Sequence, residues 1–511
     1  MQDVNLFVPN WSDLAYWRPE LTLLGAFLLA LIGDLLVRGR HPVVPFLISL
    51  AGLLLALAFS IFDLGRAEAV TVMGPLVVVD GLAGFFRLLF TGGALAVVLY
   101  SWTSDEIMGP RREAKGEFYA LIALLTGALC VMAEAQDILM LYLSMEVVGL
   151  ASYVMAGYMR TSLRSSEASL KYVIYASVSS GIMLYGLSLL YGLTGETNFS
   201  AIRQALEAYP PNPYTLLVVT VLILVGMGYK IAAVPFHHWA PDVYEGAPTP
   251  VTAIFSVGPK AAGFALMIRF FYTTFVAGPE AAAASRLLQI VEWPLIIALL
   301  SVVTMTYGNL VALRQENVKR MLAYSSIAHV GYLLMGFLLL TPEGLAAVLY
   351  YLLVYTLMNL GAFLVVVTIN NNLRSENLAD YAGLGHRLPW VGVMMFVFLV
   401  SLVGLPPTAG FVGKFYLFTA VLDREWFWLA IAAGVNSVIS LFYYMRVMKA
   451  MFFTLPPVPA ADRPATALVV RPLEYVVLTG LCLPVLGLGV YWVLFKDLAD
   501  QAVLRFTAGV F

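Results

Sequence analysis

Four ionisable side chains stand inside long apolar stretches of the sequence and are the first candidates for chemistry. Glu146 lies in the run Leu-Tyr-Leu-Ser-Met-Glu-Val-Val-Gly-Leu, and Lys230, Lys260 and Lys414 lie in three other apolar stretches. An ion at the centre of a membrane costs at least about 2.5–3.5 kcal/mol, so each of these residues needs a partner or water. Lysine suits proton transfer because desolvation readily changes its pKa, whereas arginine stays charged.

Glu146 and Lys230 are predicted to form a switchable pair. Glu146 has no opposite charge nearby on its own helix, and Lys230 stands beside a proline that interrupts its apolar stretch. A buried lysine loses its proton more readily and a buried carboxylate keeps its proton longer, while pairing opposes both trends. Making and breaking the pair would switch the lysine between its protonated and neutral forms, as a proton relay requires. A static pair that only fixes helix packing is the alternative.

Lys260 and Lys414 extend this hypothesis. Lys260 follows Gly258-Pro259 and Lys414 follows Gly404-Leu-Pro-Pro407, so both stand near helix-breaking residues. We interpret the three lysines as successive proton-transfer groups along one buried polar axis. The alternative is that Lys260 and Lys414 only stabilise the packing of the helices. His329 is a possible further relay because histidine titrates near neutral pH. A hydrogen-bonded structural histidine is an equally good interpretation.

The remaining charged residues within apolar stretches are assigned structural or interfacial roles rather than roles in proton transfer. Lys171 lies near the end of its span, where its side chain can reach the membrane surface. Arg87 and Arg269 are interpreted as structural or interfacial, and His237 and His238 as part of an interfacial loop or half-helix. Phe, Tyr and Trp stripes are interpreted as packing surfaces and interface belts rather than as a cofactor site.

Composition identifies the elements that must position these residues. Of 511 residues, 61% are hydrophobic and 12% are charged, and mean hydropathy is +0.86. A soluble domain carries about 25% charged residues and cannot hide so much apolar surface. The sequence therefore predicts an all-α polytopic membrane protein. This composition excludes disordered, fibrous and disulfide-rich secreted proteins. The net charge of −2 gives no indication of nucleic-acid binding.

No motif for a bound cofactor stands out. Cys130 and Cys482 are too far apart, within apolar runs, to hold an iron–sulfur cluster or a cysteine-based zinc site. A dinucleotide fingerprint is absent, and Gly413-Lys414 is followed by Phe415 rather than by the Ser or Thr of a phosphate loop. We therefore expect no nucleotide, metal or redox centre in this chain.

A bilayer core needs about 20 apolar residues per helix, which gives about fourteen predicted spans. They cover residues 21–37, 42–62, 83–102, 117–133, 138–159, 170–193, 214–239, 251–276, 293–313, 321–340, 344–369, 388–422, 425–453 and 473–495.

Basic residues in the connecting loops predict the orientation, because cytoplasmic loops are enriched in Lys and Arg. Sixteen would lie in the cytoplasm: Arg38, Arg40, Arg111, Arg112, Lys115, Arg160, Arg164, Arg314, Lys319, Arg320, Arg374, Arg387, Arg446, Lys449, Arg463 and Arg471. Seven would lie outside: Arg18, Arg66, Arg203, Arg286, Arg424, Lys496 and Arg505. Both termini are then expected on the periplasmic side, in agreement with an even number of spans.

Spans 7 and 12 are predicted to be broken, at Pro235 and at Pro406-Pro407, because proline removes a helical hydrogen bond and clashes with the preceding turn. Paired broken helices point to inverted repeats. Spans 4–8 and 9–13 are thus predicted to form two inverted five-helix repeats. The expected units are an N-terminal three-helix segment (1–116), the two repeats (117–276 and 277–453) and a C-terminal loop with the last helix (454–511).

Three long motifs resemble a known family. They are Tyr229-Lys-Ile-Ala-Ala-Val-Pro-Phe-His-His-Trp-Ala-Pro-Asp-Val-Tyr-Glu-Gly-Ala-Pro-Thr-Pro-Val-Thr-Ala253, Asn317-Val-Lys-Arg-Met-Leu-Ala-Tyr-Ser-Ser-Ile-Ala-His-Val-Gly-Tyr332 and Gly404-Leu-Pro-Pro-Thr-Ala-Gly-Phe-Val-Gly-Lys-Phe415. With essentially the whole chain, they resemble the subunit N family of bacterial NADH–quinone oxidoreductase, respiratory complex I. The segments around Asp242 and Lys260 favour that family over the related subunits L and M.

The resemblance implies an antiporter-like, non-redox subunit of the bacterial inner membrane that moves protons while other subunits reduce quinone. It implies that Glu146, Lys230, Lys260 and Lys414 form the proton relay, and it supports a role for His329. FMN, iron–sulfur clusters and quinone would belong to partner subunits, and the direct partners would be other membrane-arm subunits and the lipid bilayer. The alternatives are a subunit of a multi-subunit sodium/proton antiporter and a purely structural subunit.

Overall fold

The computed structural model describes residues 13–37, 41–64, 69–109, 116–276, 293–455 and 468–510. These residues are almost entirely helical, which confirms the predicted all-α class. One short hairpin departs from it: Val70–Val72 pairs antiparallel with Val77–Val79, with Val72 opposite Val77. Eight basic residues used to predict the orientation lie outside the described residues: Arg38, Arg40, Arg66, Arg111, Arg112, Lys115, Arg286 and Arg463.

The α-helices of the described ranges are numbered here in chain order. They are α1 (Arg18–Leu36), α2 (Val43–Asp63), α3 (Gly81–Ser101), α4 (Asp105–Met108), α5 (Gly116–Glu134), α6 (Ile138–Ala156), α7 (Leu163–Thr194), α8 (Phe199–Ala208), α9 (Pro213–Ile231), α10 (Trp239–Gly246), α11 (Thr249–Phe275), α12 (Trp293–Ala312), α13 (Val318–Phe337), α14 (Pro342–Leu373), α15 (Leu384–Arg387), α16 (Pro389–Val403), α17 (Ala409–Leu422), α18 (Phe427–Phe453), α19 (Pro472–Val490) and α20 (Val493–Val510). Two short 3₁₀ segments are Asp13–Tyr16 and Leu378–Tyr381.

Twelve of the described helices are long and apolar enough to cross a membrane: α1, α2, α3, α5, α6, α7, α9, α11, α12, α14, α18 and α19. The other two predicted spans, 10 and 12, coincide with α13 and with the pair α16 and α17. Before α16 the chain turns by 118° after the short segment Leu378–Arg387. Each of the fourteen predicted intervals therefore contains a helix. The number that crosses the membrane, the inverted repeats and the four predicted units remain predictions.

Both predicted breaks are present. α9 ends at Ile231 with Ala232 in the left-handed region (φ 59°), and α16 ends at Val403 with Gly404 at φ 86°. A β-carbon on Gly404 would also lie 2.8 Å from Cδ of Lys414, so glycine provides both the backbone conformation and the space. Predicted span 7 was too long at its end, because the helix does not continue to residue 239.

The buried centre of the molecule is formed by α11, α13 and α14. Every residue of α11 is buried, as are nearly all residues of α13 and most of α14. Helices around this centre, such as α1, α2, α6 and α7, keep rows of large apolar side chains exposed. Such faces are suited to lipid or to neighbouring membrane subunits. The central helices carry Lys260 and His329, so both lie where partners must come from the protein itself.

Candidate functional site

Lys230 lies in the last turn of α9, next to the break, and is 3% exposed. Its Nζ donates a hydrogen bond to the backbone oxygen of Met145 on α6 at 3.2 Å. Gly263 allows α11 to pass this helix end closely, since a β-carbon there would lie 2.6 Å from Cγ2 of Ile231. Lys260 is one helical turn before Gly263. The break therefore places the first lysine against both α6 and the central helix.

Glu146 does not form the predicted ion pair with Lys230. In the described part of the chain, no basic group lies within 4.0 Å of its carboxylate, and Lys230 bonds the carbonyl of the preceding residue, Met145, instead. Glu146 is half-buried on α6, beside the exposed apolar residues Leu143, Val147 and Leu150. The carboxylate thus lies between the interior and an apolar outer face.

Lys260 is buried in the centre of the molecule and contacts hydroxyl groups. Its Nζ donates to Oγ of Ser326 on α13 at 2.5 Å, and the hydroxyl of Tyr355 on α14 donates to the same Oγ at 2.8 Å. The ring of Tyr244 on α10 lies 5.5 Å from Nζ. In the described residues this ammonium has no carboxylate within 4.0 Å. Its charge is opposed only by dipoles and a ring face, which suits a group that gives up and regains a proton.

His329 lies on α13 and bridges two tyrosines. Nδ1 is 2.7 Å from the hydroxyl of Tyr351 on α14, and Nε2 is 3.2 Å from the hydroxyl of Tyr444 on α18. Its ring centre is 5.1 Å from that of Tyr355. Tyr355 is the tyrosine that donates to Ser326, the partner of Lys260. An imidazole with a partner at each nitrogen can accept a proton at one nitrogen and release it at the other.

Lys414 lies on α17, after the second break, and is 5% exposed. Its Nζ donates to the backbone oxygen of Val403 at 2.8 Å and to Oγ of Ser437 at 3.3 Å. The ammonium also lies 4.5 Å from the ring centre of Tyr332, whose hydroxyl accepts a hydrogen bond from Ser437 at 3.2 Å. Since α16 ends at Val403, the break supplies a free carbonyl to the lysine.

These contacts bring Lys260, His329 and Lys414 into one buried series and place Lys230 beside its beginning. Direct hydrogen bonds link Lys260 to Tyr355 through Ser326, and His329 to its two tyrosines. The steps from Tyr355 to His329 and from His329 to Tyr332 are ring contacts, at 5.1 and 5.9 Å between centres. Proton transfer across these two steps requires hydroxyl rotation or an intervening water.

Sequence reasoning missed the hydroxyl groups of this series, because tyrosines were assigned to packing. They are Ser326, Tyr332, Tyr351, Tyr355, Ser437 and Tyr444. A signal was present: Ser326, His329 and Tyr332 follow one another at intervals of three on α13, and Tyr351 and Tyr355 are four apart on α14. Residues three or four apart share a helix face. Polar groups on one face of a central helix indicate a polar interior.

A surface ion-pair network ties α10 to its neighbours at one end of the molecule. Asp242 accepts from Nζ of Lys171 on α7 at 2.7 Å and from Nη1 of Arg320 on α13 at 2.8 Å. Arg320 also pairs with Glu245 at 2.8 Å. Partial burial raises the pKa of Asp242, but the hydrogen bonds and charges of Lys171 and Arg320 outweigh burial and hold this pKa below its ordinary value of 3.8. Lys171 is therefore a network member rather than only a snorkelling residue.

Replacing Asp242 with asparagine is expected to destabilise the subunit by about 1–2 kcal/mol. Because the native pKa of Asp242 is lowered, its stabilisation is present above the ordinary value and is lost as pH falls through the native pKa. The loss in melting temperature of the detergent-solubilised protein should thus be constant from pH 5 to 8 and shrink below about pH 4. Glu167→Gln is the control, because Glu167 contacts Lys171 but is 61% exposed. Equal melting temperatures for Asp242→Asn and wild type at pH 7 would contradict this role.

Two buried arginines hold neighbouring helices together through ion pairs. Arg87 on α3 bonds Glu20 of α1 and Glu134 of α5, each at 2.8 Å, and all three side chains are at most 3% exposed. Arg269 on α11 forms two bonds with Asp80, at 2.8 and 2.9 Å. These contacts agree with the predicted structural role of both arginines.

Metal-binding geometry is not present in the described residues: no group of three or more His, Cys, Asp or Glu side chains there could hold a metal ion. Cys130 and Cys482 are both buried free thiols. The site consists of amines, an imidazole and hydroxyl groups, which is a donor set for moving protons.

Comparison with known proteins identifies the family of this chain. The family described as NADH:quinone oxidoreductase/Mrp antiporter, TM, matches residues 135–440, a range that contains all five site residues proposed from the sequence. This chain belongs to the NADH:quinone oxidoreductase/Mrp antiporter family. The known members of this family are therefore one basis for proposing its function.

Relatives within the NADH:quinone oxidoreductase/Mrp antiporter family match nearly the whole chain. NADH-quinone oxidoreductase subunit N of Chlorobium chlorochromatii is 43% identical over 98% of this chain and 96% of its own length. A chain of respiratory complex I from Thermus thermophilus superposes with a TM-score of 0.74 at 30% identity, covering 94% of this chain and 99% of that one. A chain of the Mrp complex from Dietzia has a TM-score of 0.82 at 22% identity, covering 98% and 99%, and shows the shared fold.

Proposed function

We propose that this chain is a proton-translocating, non-redox subunit in the membrane arm of a bacterial respiratory complex I. The observation that carries the proposal is the buried series from Lys260 through His329 to Lys414, in a chain whose full-length relatives are named subunit N. FMN, iron–sulfur clusters and quinone would then belong to other subunits of the complex. The inner membrane follows from this assignment, with both termini on the periplasmic side as the loop charges predict.

In this proposal Glu146 and Lys230 receive the conformational signal. Lys230 bonds the carbonyl of Met145 next to Glu146, so a small shift of α6 against α9 would exchange that carbonyl for the carboxylate. Pairing with the carboxylate would hold the proton on Lys230, and separation would release it toward Lys260. Protons would then pass along the hydroxyl groups to Lys414 and leave on the outer side. Electron transfer in partner subunits would supply the free energy.

The position of Glu146 also supports a membrane partner. The carboxylate is half-buried beside Leu143, Val147 and Leu150, which are 46%, 38% and 61% exposed. Lipid is an unfavourable neighbour for a carboxylate, whereas another membrane subunit can supply polar groups. This face of α6 is therefore assigned to contact with a neighbouring membrane-arm subunit.

A multi-subunit sodium/proton antiporter is the second candidate, supported by the fold shared with a chain of the Mrp complex. Both functions use the same buried lysines, so the site alone does not separate them. Complex I is favoured because relatives above 40% identity over nearly the full length carry its name.

The deciding experiment purifies the tagged full-length chain from its host membrane in mild detergent. We expect flavin and iron–sulfur subunits to co-purify, identified by mass, and the sample to reduce quinone with NADH. Vesicles reconstituted with it should move protons upon NADH addition equally well with potassium or sodium salts. Recovery with small membrane subunits alone, together with sodium-dependent pH changes that need no redox substrate, would establish the antiporter instead.

A further inference from the structure

Two buried asparagines join α12 to α18 beside the buried series. Nδ2 of Asn309 on α12 donates to the backbone oxygen and to Oδ1 of Asn436 on α18, each at 3.2 Å. Nδ2 of Asn436 donates in turn to Oγ1 of Thr306 on α12 at 3.0 Å. The hydroxyl of Tyr443 on α18 donates to Oδ1 of Asn309 at 3.0 Å. Both asparagines are buried, which shields these bonds from solvent. We name these four residues the amide clamp.

α18 carries two adjacent rows of polar residues. The first row, Asn436 and Tyr443, contacts α12 through the amide clamp. The second row, Ser437 and Tyr444, contacts the buried series, at 3.3 Å from its last lysine and 3.2 Å from its histidine. Tyr444 also bonds Ser325 of α13. Seven residues make nearly two helical turns, so each row follows the helix, and the rows are about 100° apart. Any rotation of α18 that moves the first row therefore moves the second.

The opposite face of α18 is apolar and exposed. Its large side chains are Ile431, Val435, Val438 and Phe442, which are 55–67% exposed. These side chains cannot form hydrogen bonds, so this face does not fix the rotation of the helix. Within a membrane, the position of such a helix depends on close packing and on hydrogen bonds to its neighbours. The bonds of the amide clamp are therefore well placed to hold α18.

α12 is itself fixed tightly to α13, the helix that carries His329. A β-carbon on Gly308 would lie 2.6 Å from the backbone nitrogen of Ala328, and one on Gly331 would lie 2.6 Å from a backbone nitrogen of α12. Oγ of Ser301 on α12 donates to the backbone oxygen of Gly331 at 2.7 Å. Helices in such close contact move as one unit. The amide clamp attaches α18 to this unit and so sets its distance from the imidazole.

The contacts of α18 with the buried series are long for hydrogen bonds. The hydroxyl of Tyr444 is 3.2 Å from Nε2 of His329, and Oγ of Ser437 is 3.2 Å from the hydroxyl of Tyr332. Nζ of Lys414 is 3.3 Å from the same Oγ. Ordinary hydrogen bonds extend to about 3.2 Å, so a shift of α18 by about 0.5 Å would open these contacts.

We propose that the amide clamp holds the hydroxyl groups of Ser437 and Tyr444 in position for proton transfer between His329 and Lys414. The inference rests on the proposed function and adds two positioning residues to its site, the asparagines of the clamp. Their amide groups neither gain nor lose a proton, because asparagine offers only a neutral carbonyl and a neutral NH₂ group. They act through α18, by keeping its second polar row against the imidazole and the ammonium.

The test uses the assembled complex in sealed vesicles and measures NADH-driven proton pumping per assembled complex. Asn436→Leu keeps much of the volume and removes the side-chain bonds of the clamp. It is expected to slow pumping by about 100-fold, the cost of displacing a reacting group by about 1 Å. Tyr443→Phe removes one bond only and should slow pumping roughly fivefold, the equivalent of one hydrogen bond. This second variant tests the proposal even where Asn436→Leu assembles poorly.

Ser301→Ala is the matched control for these variants. It removes a buried hydrogen bond between α12 and α13 and leaves the contacts of α18 in place. Wild-type pumping is expected from this variant. A loss equal to that of Tyr443→Phe would assign the effect to general packing and overturn the proposal.

The solvent isotope effect separates positioning from loss of folded protein. If Tyr443→Phe slows proton transfer, the ratio of NADH oxidation rates in H₂O and D₂O should rise above that of the wild type. If some molecules are merely inactive, the remaining activity should keep the wild-type ratio, which would overturn the proposal. Wild-type pumping by both clamp variants, with pumping lost in Lys414→Ala, would overturn the positioning role alone. Full pumping by Lys414→Ala would overturn the proposed function as well.

Discussion

Replacing Lys230 with alanine is expected to lower NADH-driven proton pumping by about 100-fold, the lower end of what a positioned proton-transfer group contributes. Lys230 is 3% exposed and bonds the carbonyl next to Glu146, so its loss removes the buried amine from the start of the proposed relay. Quinone reduction should fall in parallel because the two processes are coupled. The measurement is dye quenching in sealed inverted membrane vesicles, normalised to the amount of assembled complex.

Lys230→Arg is the informative companion variant. Arginine keeps the positive charge and much of the volume but does not release its proton in proteins. If Lys230 transfers protons, the arginine variant should be as defective as the alanine variant. If Lys230 only holds α9 against α6, arginine should restore most of the activity. Full pumping by both variants would exclude the relay.

Replacing Arg87 with alanine is expected to destabilise the subunit by about 3–5 kcal/mol, the usual cost of removing one partner of a buried ion pair. Arg87 is 1% exposed and bonds two carboxylates, those of Glu20 and Glu134, on different helices. Without it, two neighbouring buried carboxylates have lost the positive charge between them in the ion pair, which is unfavourable unless one takes up a proton. The melting temperature of the purified protein in detergent is the measurement.

Two comparisons make the Arg87 prediction specific. Arg160→Ala removes a pair with Glu117 that is 3.5 Å long and highly exposed, so it should change the melting temperature little. Combining Arg87→Met with Glu20→Gln and Glu134→Gln removes the charges together and should recover much of the lost stability. An Arg87→Ala variant as stable as Arg160→Ala would show that the three-residue cluster contributes little.

The sequence predicted the membrane class and the candidate lysines because both depend on local properties. An amine in an apolar stretch stands out whatever surrounds it in space, and so Lys230, Lys260 and Lys414 were found to be buried as expected. Proline breaks a helix through its own ring and missing N–H, which explains why both breaks were found. The end of predicted span 7 was wrong because several apolar residues of the break look like a continuing helix in composition.

The tertiary structure alone decided which groups meet. The rotation of each helix about its axis and its shift along its neighbours determine that Lys230 bonds Met145 rather than Glu146. They also determine that Lys260 bonds Ser326, 66 residues away. The same holds for Arg87, whose partner Glu20 is 67 residues distant. Hydropathy and helix breaks carry no information about these contacts, because interhelical packing depends on the shapes of many side chains together. The residue types by themselves predicted buried groups suited to proton transfer, and the packing decided which of those groups lie in contact.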